Sequence, residues 1–583
     1  MIEYVNIRAT ALSEFWGTSY NENIYLWEGA KHKLNLKEID RIKEKTCNDQ
    51  FSSQSSIDEA MLACKALYFN YLPILTKQLN QYHKVNLSTS FWQLAFGYWF
   101  YRHICVVYEK YAYLSKVNID KSSIKLLNKQ SYYIPFDHDE YYEFFGNDFG
   151  VQQLVSEYYY LFANNKFEQI DIKYNKPIFD KSKVVNSKKA GLKRFINFKA
   201  PSKIKLLLKN TLKPKIVLVD AYYTMNHIIK LIVKSRGKIL PIDIPKVENN
   251  TISYDRNSRE TIFQLESNDP FEKFLIKSFA YSVPTIFIEN FKNYYNTYLA
   301  DIKESNFNHI VSEGCFGISN VALYCALANE YNRTFIFQEH ASSSSIVDRS
   351  FQWFYLGFAH SLITTGWKSK EKNVIQGGFL AKNPKRYSYT KKASTILFVG
   401  HTVTPYLMEF SWHPYNSNFL DELYIVQKVF NLIPSSLIKH FKFRPRRSNS
   451  NWDTEITLDL AKNNERVDRD NFHVSIYNSK IIILDHLSTA IAELLIIWVP
   501  FLILINRHTK FTAEAQPFID EMAKCGVIHY NPERLVSKLV EVYDNTEEWW
   551  RSTEVKNSVS NFRLSFLGEP SNTYNFLTSL IKN

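Results

Sequence analysis

The chain has 583 residues, a net charge of +13 and 16% aromatic residues, but only 16 glycines and 18 prolines. This length predicts two or three folded units with ample apolar content to bury, and the composition argues against disorder. The charge alone does not distinguish nucleic acid, an anionic membrane surface and phosphorylated substrates as partners. The sequence contains no glycine-rich G-x-G-x-x-G or Walker-type phosphate loop, and no H-E-x-x-H or G-x-S-x-G motif.

The six cysteines form no C-x-x-C pair and no metal-finger spacing, which favours a reduced, cytoplasmic protein. The first ten residues lack the basic and apolar regions of a secretory signal. The longest apolar run, from Leu494 to Ile505, is interrupted by Pro500 and is too short to span a bilayer. We therefore expect a protein that is soluble or peripheral at the inner membrane.

The first part of the chain, after a short strand near residues 23–27, has the pattern of aromatic-rich helices over residues 50–170. A helix is expected to open at Ser56, because Ser56 and Glu59 have the spacing of a capping box. Trp, Tyr and Phe are dense in residues 79–104, and we interpret them as core rather than as a binding platform. The expected buried stripe of the first long helix recurs at helical spacing: Ala60, Cys64, Leu67, Tyr71 and Ile74.

A basic segment follows at residues 181–215, with twelve Lys or Arg and no Asp or Glu. Its interleaved Phe and Leu side chains suit the negative cytoplasmic face of a membrane. The alternative is a solvated linker between two parts of the fold.

From residue 214 onward, short apolar strands alternate with helices, which predicts a parallel α/β architecture. The predicted fold is α/β, with two Rossmann-like units and a large aromatic-rich helical N-terminal region. The N-terminal half spans residues 1–390 with its α/β part at 214–370, the second α/β unit spans 391–560, and a C-terminal helix follows at 561–583. We expect the active site in the cleft between the two halves. Strands are predicted at residues 216–219, 238–240, 309–311, 334–337, 361–364, 395–399, 441–443, 481–484 and 501–505.

Four polar loops directly follow predicted strands, where an open α/β sheet binds its ligands. In the first half, Glu313, Glu339 and His340 are candidates for a general base or nucleophile, and Asp220 is a further candidate. The four loops are SEGCFG at 312–317, QEHASSSS at 338–345, GHTVTPY at 400–406 and DHLST at 485–489.

The second half offers candidates for binding rather than for proton transfer. Arg444 and Arg446 follow a strand, where guanidinium groups can grip phosphate oxygens. The other candidates surround the start of a predicted helix: His401, His486, Ser488, Thr489 and Glu493.

Structural roles are the alternative for these side chains. Asp485 and Ser488 can cap the helix while Glu493 pairs with a base, each histidine can be a buried structural residue, and the arginines can form a surface turn. Two D-x-D strings, at 137–139 and 468–470, do not follow apolar strands, so we predict no metal site.

Several segments resemble, in order along nearly the whole chain, a family of bacterial transferases encoded among O-antigen and capsule genes, with the two-part GT-B glycosyltransferase fold. The sequence departs from the family where Gln338-Glu339-His340-Ala341 replaces a QHGG-like loop and where Leu484-Asp485-His486 replaces a Thr-Leu-Glu-like strand end. The segments are LNQYHKVNLSTSFWQLAFGYWF, PFDHDEYYEFFGNDF, FQEHASSSS followed by TTGW, RPRRSNSNW, YNSKIIILDHLSTAIAELL and EEWW.

The resemblance implies a glycosyltransferase that moves a sugar from a nucleotide-sugar donor to a surface polysaccharide or lipid-linked acceptor. A CMP-linked acidic sugar such as Kdo is one candidate donor, no metal or other cofactor is implied, and the stereochemistry stays open. Arg444 and Arg446 would neutralise the donor phosphate, Ser488 and Thr489 would hold phosphate or sugar oxygens, and Glu493 would accept ribose hydroxyls.

The catalytic group would come from the opposite half, and an acceptor in the inner leaflet would explain the basic segment. The alternative function is a non-catalytic carbohydrate or membrane-surface binding protein. Nucleic-acid binding is supported by charge alone, and we expect no such partner.

Overall fold

The computed structural model describes most of the chain. The basic segment up to residue 210 lies outside the described residues, as do Arg446 and Ser488. The described residues are 6–17, 24–42, 51, 53–120, 124–175, 211–247, 254–314, 317–340, 346–347, 352–381, 393–410, 418–445, 451–460, 466–487, 489–506 and 509–582.

The N-terminal region is a helical layer with two small parallel ribbons at its margin. Its central helix, α4, is buried on nearly all sides, and Trp92, Trp99 and Phe100 are at most 1% exposed. This confirms the interpretation of the aromatic segment as core, because the rings pack against the helices around them. The elements are β1 (Asn6–Arg8), α1 (Ser13–Trp16), β2 (Ile24–Leu26), α2 (Leu36–Arg41), α3 (Gln54–His83), α4 (Thr89–Leu114), β3 (Leu126–Leu127), α5 (His138–Phe145), α6 (Asp148–Phe162) and β4 (Gln169–Ile170).

Helix α3 begins earlier than its sequence signature predicts. The Ser53 hydroxyl accepts a hydrogen bond from the Ser56 amide, so Ser53 is the N-cap and Ser56 is already helical. The predicted capping box at Ser56 and Glu59 is therefore wrong, and Glu59 instead accepts a bond from the Ser55 hydroxyl. The predicted stripe is also wrong at its end, because Ile74 is 40% exposed.

The first sheet has six parallel strands in the order β10-β9-β8-β7-β5-β6. Its β5 consists of four buried apolar residues, as expected of a strand that is covered on both faces. The elements are β5 (Ile216–Val219), α7 (Met225–Lys234), β6 (Ile239–Pro241), α8 (Arg256–Ile262), α9 (Pro270–Ser282), α10 (Phe291–Glu304), β7 (His309–Ser312), α11 (Ser319–Glu330), β8 (Thr334–Gln338), α12 (Gln352–Phe358), β9 (Ser361–Ile363) and β10 (Val374–Ile375).

The second sheet has five parallel strands in the order β12-β11-β13-β14-β15. The elements are β11 (Thr395–Val399), α13 (Phe419–Leu432), α14 (Ser435–Ile438), β12 (Phe441–Arg444), α15 (Thr454–Thr457), α16 (Phe472–Asn478), β13 (Ser479–Leu484), α17 (Thr489–Ile497), β14 (Phe501–Leu504), α18 (Gln516–Lys524), β15 (Ile528–His529), α19 (Pro532–Tyr543), α20 (Thr546–Arg551), α21 (Thr553–Phe566) and α22 (Pro570–Lys582).

Both ends of the chain pack against the opposite half. Leu36 and Ile39 of α2 lie in the core of the second sheet, and the Tyr424 hydroxyl donates to Asp40 at 2.6 Å. Tyr574 and Leu577 of α22 lie in the core of the first sheet. The predicted C-terminal helix at 561–583 is in fact the end of α21 followed by α22, and the boundaries at 390 and 560 stay predictions.

These sheets confirm the predicted fold class: α/β, with two parallel-sheet units and a helical N-terminal region. Within the described part of the chain, no helix combines the length and the apolar content that crossing a membrane requires.

Candidate active site

Each sheet has a point where the strand order reverses, and both points carry polar loops. In the first sheet β5 lies between β6 and β7, and in the second sheet β11 lies between β12 and β13. Parallel α/β sheets bind ligands in the crevice beyond the carboxyl ends of the strands at such points. A ligand site is therefore expected at the loops that follow β5 and β7 in the first sheet and β11 and β13 in the second.

In the first sheet, the loops after β5 and β7 come into close contact. Asp220 follows β5, and a Cβ atom added to Gly314 would lie 1.7 Å from the Asp220 Oδ2 atom. A larger residue at position 314 would displace the Asp220 carboxylate, and the Gly314 amide donates to the Asp220 carbonyl at 3.2 Å. Asp220 has a φ of +47°, a left-handed conformation that aspartate tolerates better than most residues. Burial raises the pKa of its carboxyl group, and a hydrogen bond with Tyr222 opposes this shift.

Glu313 and His340 form a pair at this edge, although they follow different strands. The Glu313 Oε1 atom is in hydrogen-bond contact with His340 Nδ1, and Glu313 Oε2 accepts a bond from the Tyr222 amide at 3.1 Å. The Glu313 side chain is 3% exposed, whereas the His340 side chain is 48% exposed and open to a ligand. A buried carboxylate that orients a half-exposed imidazole is an arrangement suited to general base catalysis.

The pKa values of this pair are shifted in the same direction. The hydrogen bond with Glu313 raises the pKa of His340 above its ordinary 6.5, against the opposing effect of burial, and Glu493 and Glu339 add to the increase. Burial raises the pKa of Glu313, although its hydrogen bond with His340 opposes this shift. The contribution of Glu493 to His340 is informative, because Glu493 belongs to α17 of the second sheet. The two halves also touch near His340, because the Thr512 amide of the second half donates to the Ile346 carbonyl of the first at 3.0 Å.

Glu339 precedes His340 at the end of β8, and its carboxylate is bound by residues that follow β9. It is 5% exposed, and its Oε2 atom accepts hydrogen bonds from the Trp367 indole at 2.7 Å and the Thr365 amide at 3.1 Å. These donors hold the end of β9 against β8. The prediction grouped Glu339 with Glu313 and His340, but the structure brings only the latter two together.

In the second sheet, Asp485 joins the two loops at the reversal point. The His401 amide donates to both Asp485 carboxylate oxygens at 2.9 Å, and His486 Nδ1 lies 2.5 Å from Asp485 Oδ1. The His401 and His486 rings lie 4.3 Å apart between their centroids. The structure thus brings the two predicted histidines together, through a carboxylate that accepts from the backbone of the neighbouring loop.

Helix α17 starts at Thr489, directly after this loop. Glu493 lies one turn further on, with its side chain 17% exposed and its Oε2 atom 4.0 Å from His473 Nδ1. The N-terminal amides of a helix carry partial positive charge and favour an anionic ligand. Ser488, the other predicted residue of this turn, lies outside the described residues.

Arg444 is engaged within its own half. Its Nη1 atom donates to Asp468 Oδ2 at 2.5 Å and to the Asp470 carbonyl at 2.8 Å. The Asp468 side chain is 3% exposed and the Arg444 side chain 22%. The guanidinium group thus has a fixed carboxylate partner within its own half. Arg446 lies outside the described residues.

A cavity of about 440 Å³ lies beside Asp485 at the carboxyl edge of the second sheet. Its polar groups include Glu422 of α13, and the Asn506 side-chain amide donates to Glu422 Oε1 at 3.0 Å. Burial raises the pKa of Glu422 well above its ordinary value, and the neighbouring Asp485 and Asp421 add to this shift. The lining residues are Asn418, Asp421, Glu422, Ile425, Val426, Asp485, Leu504, Ile505, Asn506 and Tyr530.

The described residues contain no group of three or more His, Cys, Asp or Glu side chains that could hold a metal ion. Metal dependence is therefore a question for experiment.

A family model described as LIC12162 family transferase matches residues 5–581. The chain belongs to this family. No curated protein matches the sequence.

Among solved structures, this LIC12162 family transferase is similar to MurG from Acinetobacter baumannii, with 11% identity, a TM-score of 0.33 and coverage of 63% of this chain and 99% of that chain. It is also similar to HepE from Anabaena in complex with UDP and glucose, with 10% identity, a TM-score of 0.37 and coverage of 64% and 100%. UDP-GlcNAc 2-epimerase from Neisseria meningitidis bound to UDP-GlcNAc gives 10% identity, a TM-score of 0.36 and coverage of 63% and 100%.

Three residues of the candidate site in this LIC12162 family transferase were not predicted from the sequence. Tyr222, two residues beyond Asp220, supports Glu313 through its amide and lies with its ring 5.3 Å from the His340 ring. Asn506 lies two residues beyond the end of β14, so a search of the loops that follow strands could have found it. Glu422 carried no such signal, because it lies on a helix.

Proposed function

We propose that this transferase is a glycosyltransferase of the GT-B type, which moves a sugar from a nucleotide-sugar donor to an acceptor hydroxyl. The observation that carries the proposal is the position of His340, which is paired with Glu313 at the edge of one half and lies near the contact between Ile346 and Thr512 of the two halves. A reaction between two bound substrates needs such a base at a cleft between two binding surfaces.

The donor would bind to the second half. The cavity beside Asp485 offers hydroxyl and amide partners to a nucleoside through Asn506 and through Glu422, whose raised pKa favours its protonated form. The N-terminal amides of α17, with Thr489 and the neighbouring Ser488, would stabilise the donor phosphate. His401 and His486 would line the same loop edge, and Arg446 remains a candidate for phosphate binding.

Two earlier expectations change within this proposal. Arg444 would support the edge through Asp468 rather than contact phosphate directly, because its guanidinium group already has a buried partner. Glu493 would contact the transferred sugar near His340 rather than only the ribose, because it faces the first half.

In the proposed step, His340 removes the proton from the acceptor hydroxyl as the oxygen attacks the anomeric carbon. The bond between that carbon and the donor phosphate oxygen breaks, and the nucleotide leaves with the electron pair. Glu313 fixes the imidazole orientation and stabilises its protonated form. A single displacement by a base inverts the anomeric configuration, whereas retention would need a carboxylate nucleophile.

A test of the function starts from a panel of CMP-, UDP-, GDP- and dTDP-linked sugars, which includes CMP-Kdo. We expect one donor class to raise the thermal midpoint of the protein and to support transfer in the presence of EDTA. The anomeric configuration of the product, read by NMR, should be inverted. The absence of any stabilising donor would contradict the proposal.

The catalytic assignment is tested with His340→Ala and a matched control, His360→Ala, which changes an exposed histidine after α12. Loss of the base is expected to lower kcat about 10²- to 10⁴-fold with little effect on donor binding. The control should keep wild-type kcat. Equal kcat values for the two variants would remove His340 from the mechanism.

The acceptor would be a growing surface polysaccharide or a lipid-linked saccharide at the inner membrane. The twelve cations of residues 181–215 support this part of the proposal, because an anionic bilayer attracts such a segment.

A further inference from the structure

Helices α7 (Met225–Lys234) and α22 (Pro570–Lys582) lie side by side on one face of the first sheet. Ile228 and Leu231 of α7 share a core cluster with Leu577 of α22. The His227 ring of α7 is in hydrogen-bond contact with the Tyr574 hydroxyl of α22. Their outward sides and the turn at residues 235–238 therefore form one continuous surface, which we name the α7–α22 surface.

The centre of this surface is apolar and exposed. Ile229 is 48% exposed and Val233 is 70% exposed, which makes Val233 the most exposed large hydrophobic side chain among the described residues. The two residues are four positions apart in one helix, so they lie next to each other on its outer side. Leu580 and Ile581 at the end of α22 are only partly buried and extend the apolar area.

The charged side chains of the two helices and of the turn at residues 235–238 have one sign. Lys230, Lys234 and Arg236 are exposed, and Lys582 is exposed at the end of α22. Neither helix contains an Asp or Glu. Asp220 is the only acidic residue in residues 211–241, and it lies in the candidate active site at the end of β5. A large negatively charged surface can therefore approach without meeting a carboxylate on these helices.

We propose that the α7–α22 surface docks on an anionic phospholipid bilayer. Ile229 and Val233 enter the headgroup region, while Lys230, Lys234 and Arg236 face lipid phosphates. Apolar side chains flanked by cations on one side of a helix are the pattern of an interfacial membrane contact. The proposal deepens the proposed function, on which it rests for its biological purpose, by naming a described surface that brings the protein to a lipid-linked acceptor.

The test is co-sedimentation of the full-length protein with vesicles of phosphatidylcholine alone and of phosphatidylcholine mixed with phosphatidylglycerol. The wild type is expected to bind the anionic vesicles, and added salt should weaken this binding. Equal binding to both kinds of vesicle, or none to the anionic vesicles at low salt, would overturn the proposal.

Two variants test the surface itself. Lys230→Ala combined with Lys234→Ala is expected to lower vesicle partitioning roughly 25-fold, from about fivefold for each cation. Ile229→Ser combined with Val233→Ser is expected to lower it by about tenfold or more, because inserted apolar side chains contribute to partitioning. Unchanged partitioning of both double variants would overturn the assignment even if the wild type binds.

Matched controls are Leu62→Ser and Val540→Ser, which remove side chains that are 68% and 47% exposed elsewhere. Both controls should bind vesicles as the wild type does, and equal losses in the controls would overturn the assignment. Transfer to a water-soluble acceptor, measured in parallel, separates the two proposals. Vesicle binding without any sugar transfer would contradict the proposed function alone, and transfer without vesicle binding would contradict the docking surface alone.

Discussion

Replacement of Glu409 by glutamine tests whether a buried ion pair fixes the segment after β11 to the helical N-terminal region. Arg102 Nη2 of α4 lies 3.2 Å from Glu409 Oε1, and the two side chains are 6% and 2% exposed. Burial by itself lowers the pKa of Arg102, but Glu409 raises it above its ordinary value, so the guanidinium group stays charged. Glutamine at position 409 would leave this buried cation without its carboxylate partner.

The expected loss of stability is large because both groups are removed from water. Breaking one partner of a buried ion pair costs about 3–5 kcal/mol, whereas an exposed helical pair contributes about 0.3–0.5 kcal/mol. The matched control is Glu547→Gln, since Glu547 pairs with Arg551 four residues away and their side chains are 39% and 70% exposed. The double variant Arg102→Met with Glu409→Met should recover most of the loss, because it removes both charges.

Urea unfolding followed by tryptophan fluorescence measures these differences, and Trp99 lies in the same helix as Arg102 at 1% exposure. We expect Glu409→Gln to unfold at a much lower urea concentration than the wild type and the Glu547→Gln control. It is refuted if the Glu409 variant lies within about 1 kcal/mol of wild type, or if the double variant is as unstable as the single one.

Three further predictions concern substitutions of Glu313, Asp148 and Asp485. Glu313→Gln should shift the acid limb of the kcat–pH profile from above 6.5 to lower pH. A base must be deprotonated to act, and the hydrogen bond with Glu313 is the main cause of the raised His340 pKa. An acid limb at the wild-type position would contradict this prediction. Asp148→Asn should lose about 2–4 kcal/mol near neutral pH in urea unfolding, since Asp148 Oδ2 lies 3.0 Å from His32 Nε2. Burial raises the pKa of Asp148, but His32 and its other partners lower it below its ordinary 3.8. The stabilisation by Asp148 is therefore present above pH 3.8, and the difference in stability between wild type and variant should close as the pH falls below that value. Asp485→Asn should raise the donor KM about 10- to 100-fold with little change in kcat, because one charged acceptor fixes both loops of the second sheet.

Nine of the eleven strands described in the two sheets were predicted from sequence, because parallel strands buried on both faces are short, continuous apolar runs. The two that were missed, β10 and β15, are edge strands of two residues each. The helices α8, α9 and α10 were not predicted. In α10 the buried stripe is Phe291, Tyr294, Tyr298 and Ile302, and tyrosines in a segment rich in Asn and Lys do not stand out as an apolar period. Tertiary packing, rather than local pattern, decides that these rings are core.

The sequence predicted that the candidate residues lie at the carboxyl edges of the two sheets, but it did not predict which side chains contact one another there. The loops after β7 and β8 could be placed at one sheet edge, yet Glu339 and His340 point to opposite sides of the strand end, and no pattern tells which side faces the cleft. Arg444 was expected to be available, but its partner Asp468 follows 24 positions later and lies against it only after folding. The assignment of catalytic and binding roles stays a prediction.

The exchange of chain ends between the halves has a consequence for how the protein is made. His227 and Tyr574 are 347 positions apart, and Tyr424 and Asp40 are 384 positions apart. During synthesis, the side of α7 that faces α22 stays uncovered until residues 570–582 have left the ribosome, and the apolar side of α2 stays uncovered until the second sheet has formed. The two halves therefore complete their cores only once residues 570–582 are available, and a fragment divided near residue 390 would expose apolar surface on both pieces and tend to aggregate.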